Sequence, residues 1–258
     1  MLLSLWPHSW DRQRRAKATL VVSALLLVAL LWGLGELLSL LPEPIGSNAA
    51  QFAQGARTTL ALTLASGSIG LALGLAAALA KTASHPLPRT IAAAYIWLIR
   101  GTPLLVQILF VYFALPTIVP GLSLPEFGAA VVALSLNVGA YNAEAIRAGL
   151  LAVPAGQRDA ACALGMQPAH VLASVVLPQA WRIALPPLAS NLVALLKDSS
   201  LAFAIGVVEL TNVGNRVQAA TFQPVATLAT TAAIYLALTT LITQFTNVLE
   251  QRAERQRR

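Results

Sequence analysis

Several polar or charged side chains lie inside otherwise apolar runs of the sequence, and six of them are candidates for function. A group of this kind costs free energy in a membrane unless it faces protein or water, so by default it marks a pathway for a polar solute or ion. The chemistry available to such groups is reversible binding through charge and hydrogen bonds. The six residues are Arg100, Asn137, Tyr141, Glu144, Lys197 and Asp198.

Three of these residues are spaced to act together. Asn137, Tyr141 and Glu144 are four and three positions apart, so a helix places them on one face, which must look inward rather than at lipid. Two interpretations stay open for the others. Arg100 either lines a pathway or caps a neighbouring helix near the cytoplasmic interface. The adjacent pair Lys197–Asp198 either lines the pathway or forms an ion-pair network at an interface between two subunits.

No residue set for covalent catalysis accompanies these six. His8, His85 and His170 all lie outside the apolar runs, which counts against a hydrolase embedded in the membrane. The sequence has no Walker-type glycine loop and no cluster of metal ligands, so we expect no enzymatic activity, metal or cofactor in this chain. Cys162 is the single cysteine and forms no disulfide within the chain.

Composition places these residues in an integral membrane protein. Of the 258 residues, 57% are hydrophobic and only 10% are charged, whereas soluble domains carry roughly a quarter charged residues. The net charge of +7 comes from basic residues at the ends of the apolar runs and at the termini, without a basic groove that contains aromatic residues. This pattern indicates contact with membrane lipid and no nucleic-acid binding.

The apolar runs predict an all-α fold with about six transmembrane helices. A helix needs about 20 apolar residues to cross a bilayer. The first run, 18–41, follows basic residues but lacks a convincing signal-peptide cleavage site, so we interpret it as a retained helix. The other predicted spans are 56–80, 89–116, 127–150, one that begins near residue 181, and 225–248.

Two local patterns refine these spans. Gly70 and Gly74 put small residues on one face of the second span, which predicts close packing against another helix. The sequence Arg100–Pro103 interrupts the third span, because Thr102 suits an N-cap and Pro103 suits the first position of a new helix. Lipid cannot satisfy the backbone groups at such a break, so it must face protein or a water-filled cavity.

The polar interruption at residues 154–178 predicts a pair of short helices outside the lipid. Pro154 opens the first helix, and Gly165 closes it with a residue that readily takes a left-handed conformation. Small alanines allow a partner to approach closely, and large apolar residues would fill a groove on that partner. The residues predicted to make this contact are Gly156, Asp159, Ala160, Ala161, Leu164, Gly165 and Met166.

Three stretches resemble motifs of ABC-importer permeases. Residues 159–178 are similar to the coupling loop, whose pattern is Glu-Ala-Ala-x3-Gly-x9-Ile-x-Leu-Pro. Here Asp159, Ala160 and Ala161 are followed after three residues by Gly165 and, after nine more, by residues 175–178. Residues 100–107 (RGTPLLVQ) and 141–147 (YNAEAIR) resemble signatures of the branch that carries polar amino acids of the histidine, glutamine and arginine type. The resemblance covers about residues 50 to 255.

The resemblance implies a five-helix importer core, residues 50–258, that includes the coupling-helix loop. Residues 1–49 would add a basic N-terminus, an extra helix and an outer loop. The chain would be the permease subunit of an ATP-driven amino-acid importer and would form the translocation pathway with a second permease chain, identical or not. ATP-binding subunits would dock at the coupling loop and hold ATP and Mg²⁺, and an extracytoplasmic solute-binding protein would deliver the amino acid.

The distribution of charge predicts the orientation. With both termini in the cytoplasm, thirteen of the seventeen Lys and Arg residues lie at cytoplasmic ends or loops, as expected for a multi-pass protein of the bacterial inner membrane. An ion-gradient-driven secondary transporter is the alternative, but it would usually show internal repeats. A permease of the methionine or osmoprotectant branch is the nearest competitor, and the stretch at residues 100–107 counts against it.

Overall fold

The computed structural model describes the backbone of residues 12–255 and the side chains of residues 18–250. Several basic side chains used in the charge count, at both chain ends, therefore lie outside the described residues, as does His8. Every regular element in the described part is helical. The helices are α1 (Arg12–Ser39), α2 (Ala49–Thr82), α3 (Pro86–Gly101), α4 (Leu104–Ile118), α5 (Glu126–Leu151), α6 (Ala155–Ala163), α7 (Pro168–Ile205), α8 (Leu210–Thr221) and α9 (Pro224–Arg255).

These helices confirm the prediction of an all-α membrane protein with about six spans. Within the described range, α1, α2, α5, α7 and α9 are each long and apolar enough to cross a bilayer alone. Helices α3 and α4 meet that criterion together, but they bend by 110° at the short break between them. The predicted interruption of the third span is therefore present.

Helices α2 and α5 form the closest helix pair of the bundle. A Cβ atom at Gly70 would lie 2.3 Å from Val138 Cγ1, and one at Gly74 would lie 2.6 Å from Asn142 Cβ. Neither distance is possible for a real side chain, so an alanine at either site would force the helices apart. The two glycines are thus a packing face, as predicted, and they fix α5, which carries several of the polar residues.

The N-terminal helix α1 packs against the bundle along one face. Leu34 and Leu38 share a buried apolar cluster with Leu238 and Ile242 of α9. Its other face is exposed, including Trp32, and suits contact with lipid. An apolar helix with one packed face and one lipid-compatible face is typical of a peripheral span, and its retention in the mature protein stays a prediction.

Helix α7 differs from the prediction. We expected a second short helix to end at Pro178 and a new span to begin near residue 181. The chain instead stays helical from Pro168 to Ile205. A wider π-helical turn, Val171–Val176, comes before Pro178 and places this proline in the first turn of the next helical segment, where a missing N–H costs little.

The segment between α7 and α9 contains helix α8, which a buried carboxylate caps. Glu209 Oε1 accepts the backbone N–H of Asn212 at 2.7 Å, and Oε2 accepts that of Thr211 at 2.8 Å. The hydroxyl of Tyr235 on α9 also donates to Oε2, at 2.9 Å. Burial raises the pKa of Glu209 above its usual range, although these hydrogen bonds act to lower it. The cap joins α8 to the end of the membrane bundle.

Candidate functional site

One amide side chain holds the break between α3 and α4. Gln107 Nε2 lies 2.7 Å from the carbonyl oxygen of Ile99, and 3.1 Å and 2.9 Å from the carbonyl and hydroxyl oxygens of Thr102. Carbonyl groups at a helix end have no N–H donors from a following turn. Gln107 supplies donors in their place to the carbonyl groups of Ile99 and Thr102, at the point where the chain bends by 110°.

The prediction that Thr102 caps α4 is wrong by one residue. The Thr102 hydroxyl donates to the Leu98 carbonyl at 2.9 Å, so it closes the preceding helix. Pro103 occupies the N-cap position of α4, with an extended backbone. A threonine hydroxyl readily bonds back to the carbonyl four residues earlier, and here that option is used.

A cavity of about 430 Å³ lies beside this break. Its polar lining comes from three places: Thr102 at the break, Asn137 and Tyr141 of α5, and Asn191 and Asp198 of α7. A volume of this order suits a small ligand. The structure therefore brings Asn137, Tyr141 and Asp198 of the predicted pathway residues together.

Hydrogen bonds between amides orient the polar wall of this cavity. Asn137 Nδ2 donates to Gln107 Oε1 at 3.0 Å, which links α5 to the break. Asn191 Nδ2 donates to Oδ1 of the buried Asn142 at 2.9 Å, which links α7 to α5. The three helices that surround the cavity are thus connected by side-chain amides whose remaining polar atoms can serve a ligand.

The charged groups near the cavity are not paired with one another. Within the described part of the chain, neither Lys197 nor Asp198 makes an ion pair; Lys197 is exposed and Asp198 is half-buried. The guanidinium of Arg100, also exposed, lies 5.1 Å from the centre of the Tyr141 ring, in the range of a cation–π contact. The carboxylate of Asp198 thus lines the cavity, and the guanidinium of Arg100 lies next to Tyr141, which also lines it.

Glu144 is engaged elsewhere. Its Oε1 lies 2.5 Å from Lys81 Nζ of α2, and its Oε2 lies 2.7 Å from a guanidinium nitrogen of Arg147. Glu144 is not among the residues that line the cavity beside the break. Because two cations share this carboxylate, its charge is already compensated within the chain. The predicted place of Glu144 on the pathway therefore stays a prediction.

Helix α6 presents an exposed surface at the end of the bundle. Gly156, Asp159, Ala160 and Leu164 are all exposed, and the Leu164 residue is 83% accessible. A hydrogen bond of 3.0 Å from Arg158 to the Leu150 carbonyl ties α6 to the end of α5. A large apolar side chain held outward in this way suits insertion into a groove of another protein.

The turn after α6 explains three of the predicted contact residues. Gly165 has φ +79, its N–H bonds to the Cys162 carbonyl, and the N–H of Met166 bonds to the Ala161 carbonyl. This is a Schellman motif, in which apolar residues at the positions of Ala161 and Met166 commonly pack together. Both belong to the apolar cluster beneath α6. Met166 is partly buried against its own chain, and its contact with a partner stays a prediction.

Comparison with known proteins identifies the fold. The family model described as binding-protein-dependent transport system inner membrane component matches residues 70–255. The chain belongs to this family. The match begins inside α2 and extends to the end of α9, so it includes the broken span, the cavity and α6.

The relatives of this chain include permease proteins of amino-acid transport systems. It is 38% identical over 199 residues to the glutamine transport system permease protein GlnP of Escherichia coli (strain K12), which covers 77% of this chain and 91% of the relative. It is 38% identical over 198 residues to the L-cystine transport system permease protein TcyB of Bacillus subtilis (strain 168), covering 76% and 84%.

A solved structure of an amino acid ABC transporter also resembles this chain. The crystal structure of an amino acid ABC transporter with histidines contains a chain that is 38% identical, with a TM-score of 0.75 over 80% of this permease and 95% of that chain. Together these likenesses identify the membrane-spanning permease subunit of an ABC importer and favour it over an ion-gradient-driven secondary transporter. As a permease it is a transport subunit.

Sequence reasoning missed three residues of the permease site. Gln107 was part of a recognised stretch, but nothing in its sequence position indicated that it would bond across the break. Asn142 also lies in a recognised stretch, at residues 141–147, whereas the sequence signal at Asn191 is only that of an amide in an apolar helix. Such an amide usually bonds to another helix, but the sequence does not say which one.

Proposed function

We propose that this permease carries polar amino acids in an ATP-driven importer of the bacterial inner membrane. The observation that carries the proposal is the cavity beside the α3–α4 break, with the carboxylate of Asp198 in its wall and the guanidinium of Arg100 next to Tyr141. An amino acid is a zwitterion, and these two groups offer a partner for each of its charges.

The amides of the wall support the same class of solute. Asn137 and Asn191 are held by Gln107 and Asn142, so their positions are fixed before a ligand arrives. Pre-oriented donors and acceptors reduce the entropy lost on binding. The volume of about 430 Å³ is large enough for a single amino acid. Lys197, exposed beside Asp198, would limit the preference for cationic solutes.

Helix α6 is the proposed docking element for an ATP-binding subunit. Its exposed residues Asp159, Ala160 and Leu164 would contact that subunit, while Gly165 sets the direction in which the helix ends. ATP and Mg²⁺ would be bound, and ATP hydrolysed, by the partner. Closure of two such subunits on ATP would move two docked α6 helices together and turn the cavity outward, and hydrolysis would return it inward.

The remaining parts of the assembly follow from this arrangement. A second permease chain, identical or related, would complete the pathway, and an extracytoplasmic solute-binding protein would deliver the amino acid to the outer face. The positive-inside rule supports an orientation with both termini and α6 in the cytoplasm. In this orientation α8 and its Glu209 cap would lie at the outer face.

Uptake by the reconstituted transporter tests the proposal. Proteoliposomes loaded with ATP should accumulate a radiolabelled amino acid when the solute-binding protein is present outside. Asp198→Asn should raise the KM about tenfold to a hundredfold, since a hydrogen bond to a charged group contributes ~1.5–3 kcal/mol. Glu126→Gln is the matched control, because Glu126 is an exposed carboxylate outside the cavity lining. Uptake that needs an ion gradient instead of ATP would contradict the proposal.

A further inference from the structure

A second and larger cavity, of about 950 Å³, lies where α6 meets the ends of the spans. Four cationic side chains line it, and each comes from a different helix: Lys81 of α2, Arg89 of α3, Arg147 of α5 and Arg158 of α6. Like charges from four separate helices repel one another, so their convergence on one space calls for an anion.

The chain supplies only part of that negative charge. Glu144 is shared by Lys81 and Arg147, in contacts of 2.5 Å and 2.7 Å. Arg158 uses one N–H on the Leu150 carbonyl and has no carboxylate partner in the described residues. Arg89 makes neither a hydrogen bond nor an ion pair within the described part of the chain. Four cations are therefore balanced by one carboxylate.

The rest of the cavity wall is apolar. Leu79, Ala93, Leu151 and Leu172 are among its lining residues, and all but Ala93 are exposed. A free inorganic anion gains nothing from such a wall. An amphipathic anion gains from both parts, because cations contact its headgroup and apolar side chains contact its hydrocarbon.

We propose that this cavity binds an anionic phospholipid, with its phosphate among the four cations and its acyl chains along the leucines. The lipid comes from the leaflet at which the basic helix ends lie. The inference depends on the placement of the chain in a membrane, which its family establishes, and not on the solute or on the ATP-binding partner. Because α6 contributes Arg158, the bound lipid also joins the exposed helix to the bundle.

The single cysteine provides a direct probe. Cys162 is exposed and lines this cavity, and the chain contains no other cysteine. The full chain is placed in nanodiscs of phosphatidylcholine alone or of phosphatidylcholine with phosphatidylglycerol, and the rate of maleimide labelling is measured. We expect labelling to slow with phosphatidylglycerol, and native mass spectrometry to find this lipid retained on the protein.

Matched variants separate the cavity from general surface charge. Arg89→Gln should weaken phosphatidylglycerol binding about fivefold, the factor expected for one basic residue near an anionic headgroup, and should restore fast labelling. Arg216→Gln, an exposed residue of α8 outside the cavity lining, should leave both unchanged.

Three results would overturn the inference. Equal labelling rates in the two kinds of nanodisc would show that no anionic lipid covers Cys162. Slowing by inorganic phosphate in phosphatidylcholine nanodiscs, as strong as that by phosphatidylglycerol, would assign the cavity to a soluble anion. Equal loss of phosphatidylglycerol in the Arg89→Gln and Arg216→Gln variants would show that binding depends on the net charge of the protein and not on this cavity. The comparison of lipids in the unaltered chain stands even if a variant does not fold.

Discussion

Replacing Leu164 by alanine should weaken the docking of an ATP-binding subunit without destabilising the permease. Leu164 is 83% exposed, so its truncation removes almost no packing within the chain, and the free energy of unfolding should change by less than about 0.5 kcal/mol. If a groove on the partner buries the side chain, the three lost carbons correspond to ~2.4 kcal/mol at ~0.8 kcal/mol each. That is roughly a 50-fold increase in Kd.

The assay titrates the ATP-binding subunit against the permease in nanodiscs, with thermal melting of the permease measured in parallel. Val225→Ala is the matched control, since Val225 is also apolar and is 82% exposed. It lies at the start of α9, which is the outer end of that helix in the proposed orientation, so it should not contact an ATP-binding subunit. Two results would refute the reasoning. A Kd for Leu164→Ala within twofold of the unaltered chain would remove Leu164 from the interface. A loss of stability of about 2–5 kcal/mol, typical of a buried leucine, would show that it packs on its own chain.

Three further predictions concern other parts of the chain. Gly165→Val should abolish solute-stimulated ATPase activity of the complex while membrane insertion stays normal, because φ +79 costs a β-branched residue ~1–2 kcal/mol or more; normal coupled turnover would count against the role of α6. Glu144→Gln should lower the Tm of the permease by leaving Lys81 and Arg147 without a carboxylate; a KM that rises with unchanged Tm would assign Glu144 a direct role on the pathway instead of a structural one. Glu209→Gln should keep one of the two backbone hydrogen bonds of the α8 cap, because glutamine has a single acceptor oxygen, and the Tm of this variant relative to the unaltered chain should rise with pH. A raised pKa means that the stability contributed by protonated Glu209 is full below the ordinary pKa and is lost as the pH rises through the folded value; a constant difference from about pH 4 to pH 8 would contradict this.

The spans and the break were predictable from the sequence because both depend on local composition. An apolar run long enough to cross a bilayer has few alternatives to a helix. The pair Thr102–Pro103 marked the interruption, since a proline there must end one hydrogen-bond ladder. What the sequence did not provide was the bend of 110° or the amide of Gln107 that satisfies it, because both depend on contacts across the break.

The site was predictable only in part, for a similar reason. Helical spacing placed Asn137, Tyr141 and Glu144 near one face, and Glu144, about one turn beyond Tyr141, contacts Lys81 of α2. Lys81 is more than sixty positions away in sequence, and no local pattern connects the two. The continuous helix through Pro178 was missed because a π-helical turn has no clear sequence signal.

The most direct test of the central claim is to purify this chain from its native membrane and identify its partners by mass spectrometry. We expect an ATP-binding subunit at equal stoichiometry, and the presence or absence of a second permease chain would show whether the pathway is formed by identical or different subunits. A chain that is purified alone and still moves solute with an ion gradient would contradict the assignment to an ATP-driven importer.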